Sequence, residues 1–521
     1  MEFSAPPTLV FPSALDSFQQ DRAAIRGQLR DTYNRLHSIA DDANFVHEQV
    51  APAYPDFPVV ANQRAGAWYV KPSDEKAHAY FKSTDGHANE HNFNLRRANL
   101  ALLPLIRERQ GIIFVDSTRR GKRFPDALSK TIPLWCAVLN RARVLLSPPF
   151  KGENADVTPE EWDEMGGLYT SPQAVGRSEH SQIEVKIEGW AKDLVNSAYD
   201  LTSLLSFRRP LRPFFISPSS TLPSSPLRRN DPTFSSCYPI ICCSASKLVG
   251  SSTDDTEVAD WVERERGFTY VQGSGDDHEA WSRGLTPGVF WRNSEEILSA
   301  SRDEIEEVVA RVVMEGLKVS DGNEKEEDEE GKGRTPFTPI RSTGLSLSFA
   351  VDPASLPTSS PESPFLITVS TSRSAPANPS SSFPPARSPT EEPPMRFDLL
   401  TRPGKAGYSS FFTSTPTSPL TTALDAASAA LKDGKEVRTA SLTNEEGSQS
   451  ETNDLGVAIG LILLVRLFDS SAALLPAGAP TPPITKDLIR SRLQWILEAC
   501  PTINPSRASL NQVNTLLMSR R

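Results

Sequence analysis

Cysteine is scarce in this chain. Five occur in 521 residues, an odd number with no CxxC pair, which excludes a disulfide framework or a cysteine-built zinc site and fits a reducing compartment. Long apolar runs are equally scarce. The longest, Leu455 to Phe468, contains Arg466 and falls short of the roughly 18 residues that a spanning helix needs, so we read a buried helix and no membrane. The opening MEFSAPPTLVFPS lacks a basic region followed by an apolar core, so no secretory signal is expected and a cytoplasmic location is. Hydrophobic residues make up only 38% while prolines number 44, which predicts long unstructured inserts within a chain long enough for two domains.

Charge is uneven. A net −10 argues against a protein that coats nucleic acid generally, yet residues 61–150 hold 15 Lys and Arg against 7 Asp and Glu. That local excess is what an RNA would feel. Within it, Ile112 to Val115 reads as a short buried strand closed by Asp116. Ser117, Thr118, Arg119, Arg120, Gly121, Lys122 and Arg123 follow, before Pro125 and Asp126 prepare a helix. Cations and hydroxyls at a strand end, with a helix just beyond, suit a phosphate. A solvated basic loop is the other reading.

Taken in order, the spacing of Phe18, Ile25, Leu29, Leu36 and Ile39 predicts a helix over 14–39 with Ser13 and Asp16 as its capping box. Trp68 and Tyr69 read as core rather than as RNA-stacking platforms. Leu95, Ala98, Leu102 and Leu105 make the stripe of a helix that Pro104 would kink and Gly111 ends. A helix is expected from Ile132 to Arg143, and a short capped one after Thr158. Residues 207–233, dense in Ser, Pro and Arg, read as a flexible insert. Pro239 to Ser246 and Phe268 to Gln272 read as buried strands. Strands separated by helices predict an α/β class, with an N-terminal α/β domain over 1–320 and its site at strand carboxyl ends. Residues 321–395 collapse into acidic, Ser and Pro tracts and read as a linker with a few threaded strands such as Thr343 to Val351. A smaller C-terminal α/β domain is expected over 396–521. In Ser83 to His87, STDGH, Asp85 and Gly86 make a good turn pair, and turn and site roles for Asp85 and His87 stand even.

STDGH, FNLRR (Phe93 to Arg97), VDSTRRGKRFPDALSKTIPLW (Val115 to Trp135), QGSGDDHEAW (Gln272 to Trp281), GLTP (Gly284 to Pro287) and NPSRASL (Asn504 to Leu510) together resemble the fungal and plant initiator tRNA phosphoribosyltransferase family. The similarity covers most of residues 14–310 and 425–520. It implies an enzyme, a pentosyltransferase that moves a ribosyl phosphate from phosphoribosyl pyrophosphate to the 2'-hydroxyl of the T-stem adenosine at tRNA position 64, setting initiator tRNA apart for initiation. It also implies a C-terminal domain with the fold of dual-specificity phosphatases. No protein partner is indicated. Where the family suggests an aromatic two residues before Phe93, this chain has His91. The thiolate and phosphate-gripping Arg of phosphatase chemistry are missing from TASLTNEEGSQSETND, so no phosphatase activity is expected.

Under that resemblance the site residues are Asp277, His278 and Asp116 for catalysis, and Ser117, Thr118, Arg119, Arg120, Lys122 and Arg123 for substrate phosphate. Arg96, Arg97 and Lys130 are assigned to RNA. Asp276, Asp277 and Glu279 would hold Mg2+ on the pyrophosphate while Asp277 or His278 takes the proton of the attacking hydroxyl. The competing reading of QGSGDDHE is a pair of Asp residues capping a helix near Glu279, which spacing alone favours. A non-catalytic RNA-binding protein with a dead phosphatase-like scaffold is the rival function.

Overall fold

The computed structural model describes residues 31–63, 65–72, 75–87, 90–119, 121–147, 156–249, 267–320, 337–356, 363–375, 380–381, 396–412, 418–443, 449–476 and 483–518. They form two compact units, each with its own mixed α/β layers. The first takes in 1–93, 102–191 and 204–322. Its sheet is wholly parallel, in the order β2-β1-β3-β5-β4, with β1 Val59–Asn62, β2 Glu75–Ala79, β3 Ile112–Asp116, β4 Leu211–Ile216 and β5 Tyr238–Ser244. Every residue of β1, β3 and β5 is buried, as expected of parallel strands covered on both faces. Helix Ile132–Leu146 packs near β4, and Phe81 meets both Phe114 and Trp135 edge-on. Trp68 and Tyr69 are fully buried in a core shared with Val115, Ile241 and Phe290.

Four local expectations change. The capping box and the start of the expected first helix lie outside the described residues, and the described part runs Thr32–Asn44 before a wider π-helical turn. The 207–233 insert is not a flexible excursion. It supplies edge strand β4, and Leu227 N–H bonds Ala53 O at 2.9 Å. Its Arg and Pro content hid the buried positions Leu211, Pro213 and Ile216. Phe268 to Gln272 joins no sheet, because its amides find side chains instead: Thr269 N donates to Asn34 Oδ1 at 3.0 Å and Val271 N to Ser38 Oγ at 2.9 Å. The stripe from Leu95 to Leu105 is also divided. Leu95–Arg97 is a 3-10 turn, Asn99 has φ +49°, and Pro104 sits in the first turn of helix Leu102–Arg109.

The second unit comprises 94–101, 192–203 and 323–521. Its sheet runs β6-β7-β11-β8-β10-β9, with β6 Thr338–Pro339, β7 Leu345–Val351, β8 Phe365–Thr371, β9 Ser380–Ser381, β10 Arg396–Thr401 and β11 Val437–Leu442. The four inner strands are parallel and the two short edge strands antiparallel. Strands β7 and β8 flank β11, so the C-terminal unit begins well before 396 and the 321–395 linker expectation is corrected. LSLSFAV and FLITVST bury most of their residues, so the strand expected over Thr343 to Val351 is a full member of this sheet and β8 is added beside β11. Helix Gln449–Leu467 buries every side chain from Asp454 to Val465, which accounts for the apolar run. No helix among the described residues is long and apolar enough to cross a membrane.

Candidate active site

In the first unit the chain leaves β1 toward β2 on one side and β3 on the other, and the crevice outside the carboxyl ends of two such strands is where parallel sheets bind ligands. The last residues of these strands are Asn62 and Asp116, and they touch. Asn62 Nδ2 donates to Asp116 Oδ2 at 2.8 Å and to Phe81 O at 3.0 Å, and Phe81 N–H returns a bond to Asn62 Oδ1 at 2.8 Å. The Asn62 amide is thereby fixed with its donors toward the acid. Asp116 Oδ1 accepts from Ser117 N at 2.9 Å. Both bonds favour the carboxylate, but burial outweighs them, and with the Asp276 charge adding to it the Asp116 carboxyl is pushed up to about 7.

A cavity of about 400 Å³ opens over this pair. Asp116, Ser117, Thr118, Arg119 and Lys122 line it from the loop after β3, Lys82, Ser83, Thr84 and His87 from the STDGH turn, and Gly275, Asp276, Asp277 and His278 from the third segment. The glycines make this convergence possible. Gly273 has φ +72°, and a Cβ there would stand 2.7 Å from Thr118 O; a Cβ on Gly86 would stand 2.8 Å from Thr131 Oγ1. Behind the third segment, Arg35 donates to Ser274 O at 2.8 Å, Gly275 N donates to Tyr69 Oη at 2.9 Å, and Trp281 Nε1 donates to Asp276 O at 3.1 Å.

One carboxylate ties the cationic side together. Asp126 meets Lys122 Nζ at 3.1 Å, Lys130 Nζ at 3.1 Å and His87 Nε2 at 3.5 Å. Lys130 continues to Glu179 at 3.0 Å, which also takes His91 Nε2 at 3.0 Å. His91, standing where the resembling family suggests an aromatic, is thus a buried hydrogen-bond partner of Glu179.

The cavity brings together Asp116, Ser117, Thr118, Arg119, Lys122, His87, Asp276, Asp277 and His278. Other expectations fall elsewhere. Asp85 is not in the lining; it lies within the 3-10 turn Ser83–Gly86, and its carbonyl accepts Asn92 N–H at 2.9 Å. Arg123 bonds Gln173 and is also outside the lining. Lys130 is 6% exposed, so the expectation that it meets RNA is corrected: its ammonium is spent inside the protein on Asp126 and Glu179. Arg96 and Arg97 belong to the second unit. Arg120 and the side chain of Glu279 lie outside the described residues. Asp277, at φ +49° ahead of the turn His278–Ala280, makes no side-chain cap bond, so it does not fill the cap role that spacing favoured.

Asn62 and Asp126 were missed by sequence reasoning. A polar residue closing the apolar run VVA, as Asp116 closes IIFV, was the available signal for Asn62; for Asp126 there was none beyond its place in the motif. Among the described residues no group of three or more His, Cys, Asp or Glu side chains is arranged to hold a metal. Asp116, Asp276 and Asp277 are spread around the wall instead, which suits a cation that draws most of its oxygens from phosphates and water.

A polar cavity lined by Lys82, Arg119 and Lys122 lies at the switch point of a parallel sheet, the place where α/β proteins of this class bind their ligands. Comparison with known proteins agrees: the Rit1 N-terminal domain matches residues 25–314 and the Rit1 DUSP-like domain residues 402–517. The chain belongs to the Rit1 family. It is 40% identical over 297 residues to the uncharacterized protein C3F10.06c of Schizosaccharomyces pombe, covering 57% of this chain and 58% of that one. It is 39% identical over 299 residues to the tRNA A64-2'-O-ribosylphosphate transferase of Saccharomyces cerevisiae, covering 55% and 54%. The match thus spans little more than half the length of either relative. No solved structure matches the chain.

Proposed function

We propose that this chain transfers a 5-phosphoribosyl group from phosphoribosyl pyrophosphate to the 2'-hydroxyl of the T-stem adenosine of initiator methionine tRNA. The observation that carries it is the buried Asp116 carboxyl, pushed up to about 7, on the floor of a cavity whose rim holds Arg119 and Lys122. Transfer to a hydroxyl needs both parts. The bond from ribose C1 to the pyrophosphate oxygen breaks, a bond from C1 to the RNA 2'-oxygen forms, and the hydroxyl proton must leave. A carboxyl near neutrality is matched to that proton, and such a base contributes ~10²- to 10⁴-fold. Arg119 and Lys122 grip the leaving phosphates by charge-assisted bonds, with Ser117 and Thr118 beside them. Asp276 and Asp277 face the same space and favour positive charge developing on the ribose ring.

The same two carboxylates are the residues to hold Mg2+ together with the pyrophosphate oxygens, and the ion would neutralise the leaving group. The C-terminal unit supplies no phosphatase nucleophile, since Val437 to Leu455 contains no cysteine and Cys500 is buried. A cytoplasmic setting, where initiator tRNA is charged and used, completes the reading. The test is incubation of the protein with phosphoribosyl pyrophosphate labelled in the ribose, Mg2+ and initiator tRNA. Label on the RNA at a 2'-position is the expected result. A protein that binds tRNA and leaves it unlabelled refutes the transferase and favours the RNA-binding scaffold.

A further inference from the structure

Two motifs that lie in the second unit, but for Phe93, serve no part of the cavity described above. FNLRR and NPSRASL meet where Arg96 Nη2 donates to Pro505 O, across 409 residues of chain. Both sides of the contact are held by further bonds. Asn94 caps the turn Leu95–Arg97 through its side chain, with Arg96 N donating to Asn94 Oδ1 at 3.0 Å, and Tyr199 Oη donates to Leu95 O at 2.5 Å. Opposite, both carboxylate oxygens of Asp454 accept Ser506 N–H at 3.1 Å, Tyr408 Oη donates to Asp454 Oδ2 at 3.2 Å, and Ser509 Oγ reaches Asp454 O at 3.4 Å. That clasp sets Pro505 O toward Arg96 and starts the helix Arg507–Met518. Arg507 therefore emerges beside Arg96 and Arg97, exposed at the head of this helix.

Arg97 and Arg507 both act against the charge on Arg96. Arg96 loses proton affinity first to burial and then to the neighbouring Arg97, and Arg507 pushes in the same direction. Asp454 is the one carboxylate acting on Arg96 in the opposite sense, and its oxygens are already taken by Ser506 and Tyr408. Arg96 Nε is buried without a hydrogen-bond partner, and Arg507 makes no ion pair among the described residues. Arg97 and Arg507 thus place like charge around Arg96, with Arg507 exposed at the helix head, and like charges brought together are stabilised by an anion that spans them.

We propose that Arg96, Arg97 and Arg507 form a docking site for the phosphate backbone of the RNA substrate on the phosphatase-like unit. It rests on the transferase reading only for the identity of the RNA. A backbone fits better than a free pyrophosphate because Arg507 stands on open surface, where successive phosphates of an A-form stem can be met without enclosing any one of them. In this way a unit with no phosphatase nucleophile still contributes, by holding RNA. The site takes no sequence information from the bases, so its loss weakens all RNA partners alike.

The experiment measures binding of initiator tRNA to the full chain across a salt series, beside binding of phosphoribosyl pyrophosphate. Arg507→Ala and Arg97→Ala are each expected to weaken tRNA binding ~5- to 10-fold and to lower the salt slope by about 1, with affinity for the small substrate unmoved. Arg507→Lys, which keeps the charge and loses the fork, is expected to recover the slope but only part of the affinity. Unchanged tRNA affinity and slope in both alanine variants overturns the proposal. So does displacement of tRNA by free pyrophosphate in the parent that Arg507→Ala abolishes, which marks a small-anion site. A parent that binds tRNA with this salt dependence yet transfers no label sinks the transferase reading and leaves the docking site standing. A working transferase whose Arg507→Ala form has an unchanged KM for tRNA does the reverse.

Discussion

Replacing Asp116 by Asn separates what its charge does from what its shape does. The carboxyl is pushed up to about 7 in the folded chain, against about 3.9 in an unfolded one. The folded state therefore binds this proton more tightly. The stability tied to it is fully present below about pH 3.9 and is lost as pH rises through about 7. The loss amounts to ~1.5 kcal/mol at pH 5 and ~4 kcal/mol at pH 8, since each pH unit crossed with the proton held only by the folded state costs about 1.36 kcal/mol. Asn cannot ionise, so it escapes this cost. It cannot reproduce both acceptors either: Oδ1 takes Ser117 N–H and Oδ2 takes the Asn62 amide, and one donor would face an NH2 group, at ~1 to 3 kcal/mol. The second penalty does not vary with pH. The variant should therefore gain on the parent by ~2.5 kcal/mol between pH 5 and pH 8 and be the more stable of the two at pH 8. Urea titrations at both pH values read this directly, following a probe in the first unit because two units need not unfold together. Transfer should move the other way, falling ~100-fold or more at pH 8, while parental activity rises with pH through about 7. A stability difference that is flat with pH, or a variant that transfers normally, refutes the argument.

Other outcomes follow from the same cavity. Asp277→Asn should fold, since Asn tolerates the left-handed φ of +49° there, and should bind tRNA but lose ~100-fold in transfer; normal transfer by that variant would remove Asp277 from the site. Arg119→Ala and Lys122→Ala should each weaken phosphoribosyl pyrophosphate binding ~10-fold, the scale of one charge-assisted bond, read by calorimetry; two unaffected variants would return this loop to a solvated basic run. Deleting Glu324 to Glu330, which lies outside the described residues, should leave turnover and thermal midpoint nearly unchanged, since so charged a tract cannot bury enough surface to offset its ordering entropy.

How much of this was legible depended on whether a residue's partner is local. Strand β3 could be read because IIFV is an unbroken apolar run ended by a charge, and the helix after Thr158 because its capping box is complete within four residues. Strand β7 was read as a threaded strand over Thr343 to Val351, but its place in a sheet was not, and β8 was missed, because the Ser and Pro tracts around both read as low complexity until their pairing with β11 is known. Phe268 to Gln272 has the composition of a strand, yet its amides are met by Asn34 and Ser38, more than 230 residues away. No periodicity reports such partners. The site divides the same way. Aspartates and arginines in the right motifs marked the cavity, but the feature that tunes it, Asn62 against Asp116, is a contact across 54 residues. Lys122 and Lys130 make the point most sharply. They stand eight positions apart in one motif and share one carboxylate, Asp126. Lys122 is held by that single partner and keeps 56% of its side chain exposed at the rim. Lys130 meets Glu179 as well and keeps 8%. Held by two carboxylates and almost wholly buried, Lys130 is kept from an RNA, whereas Lys122 can turn from Asp126 to an incoming phosphate by moving only its own flexible stem.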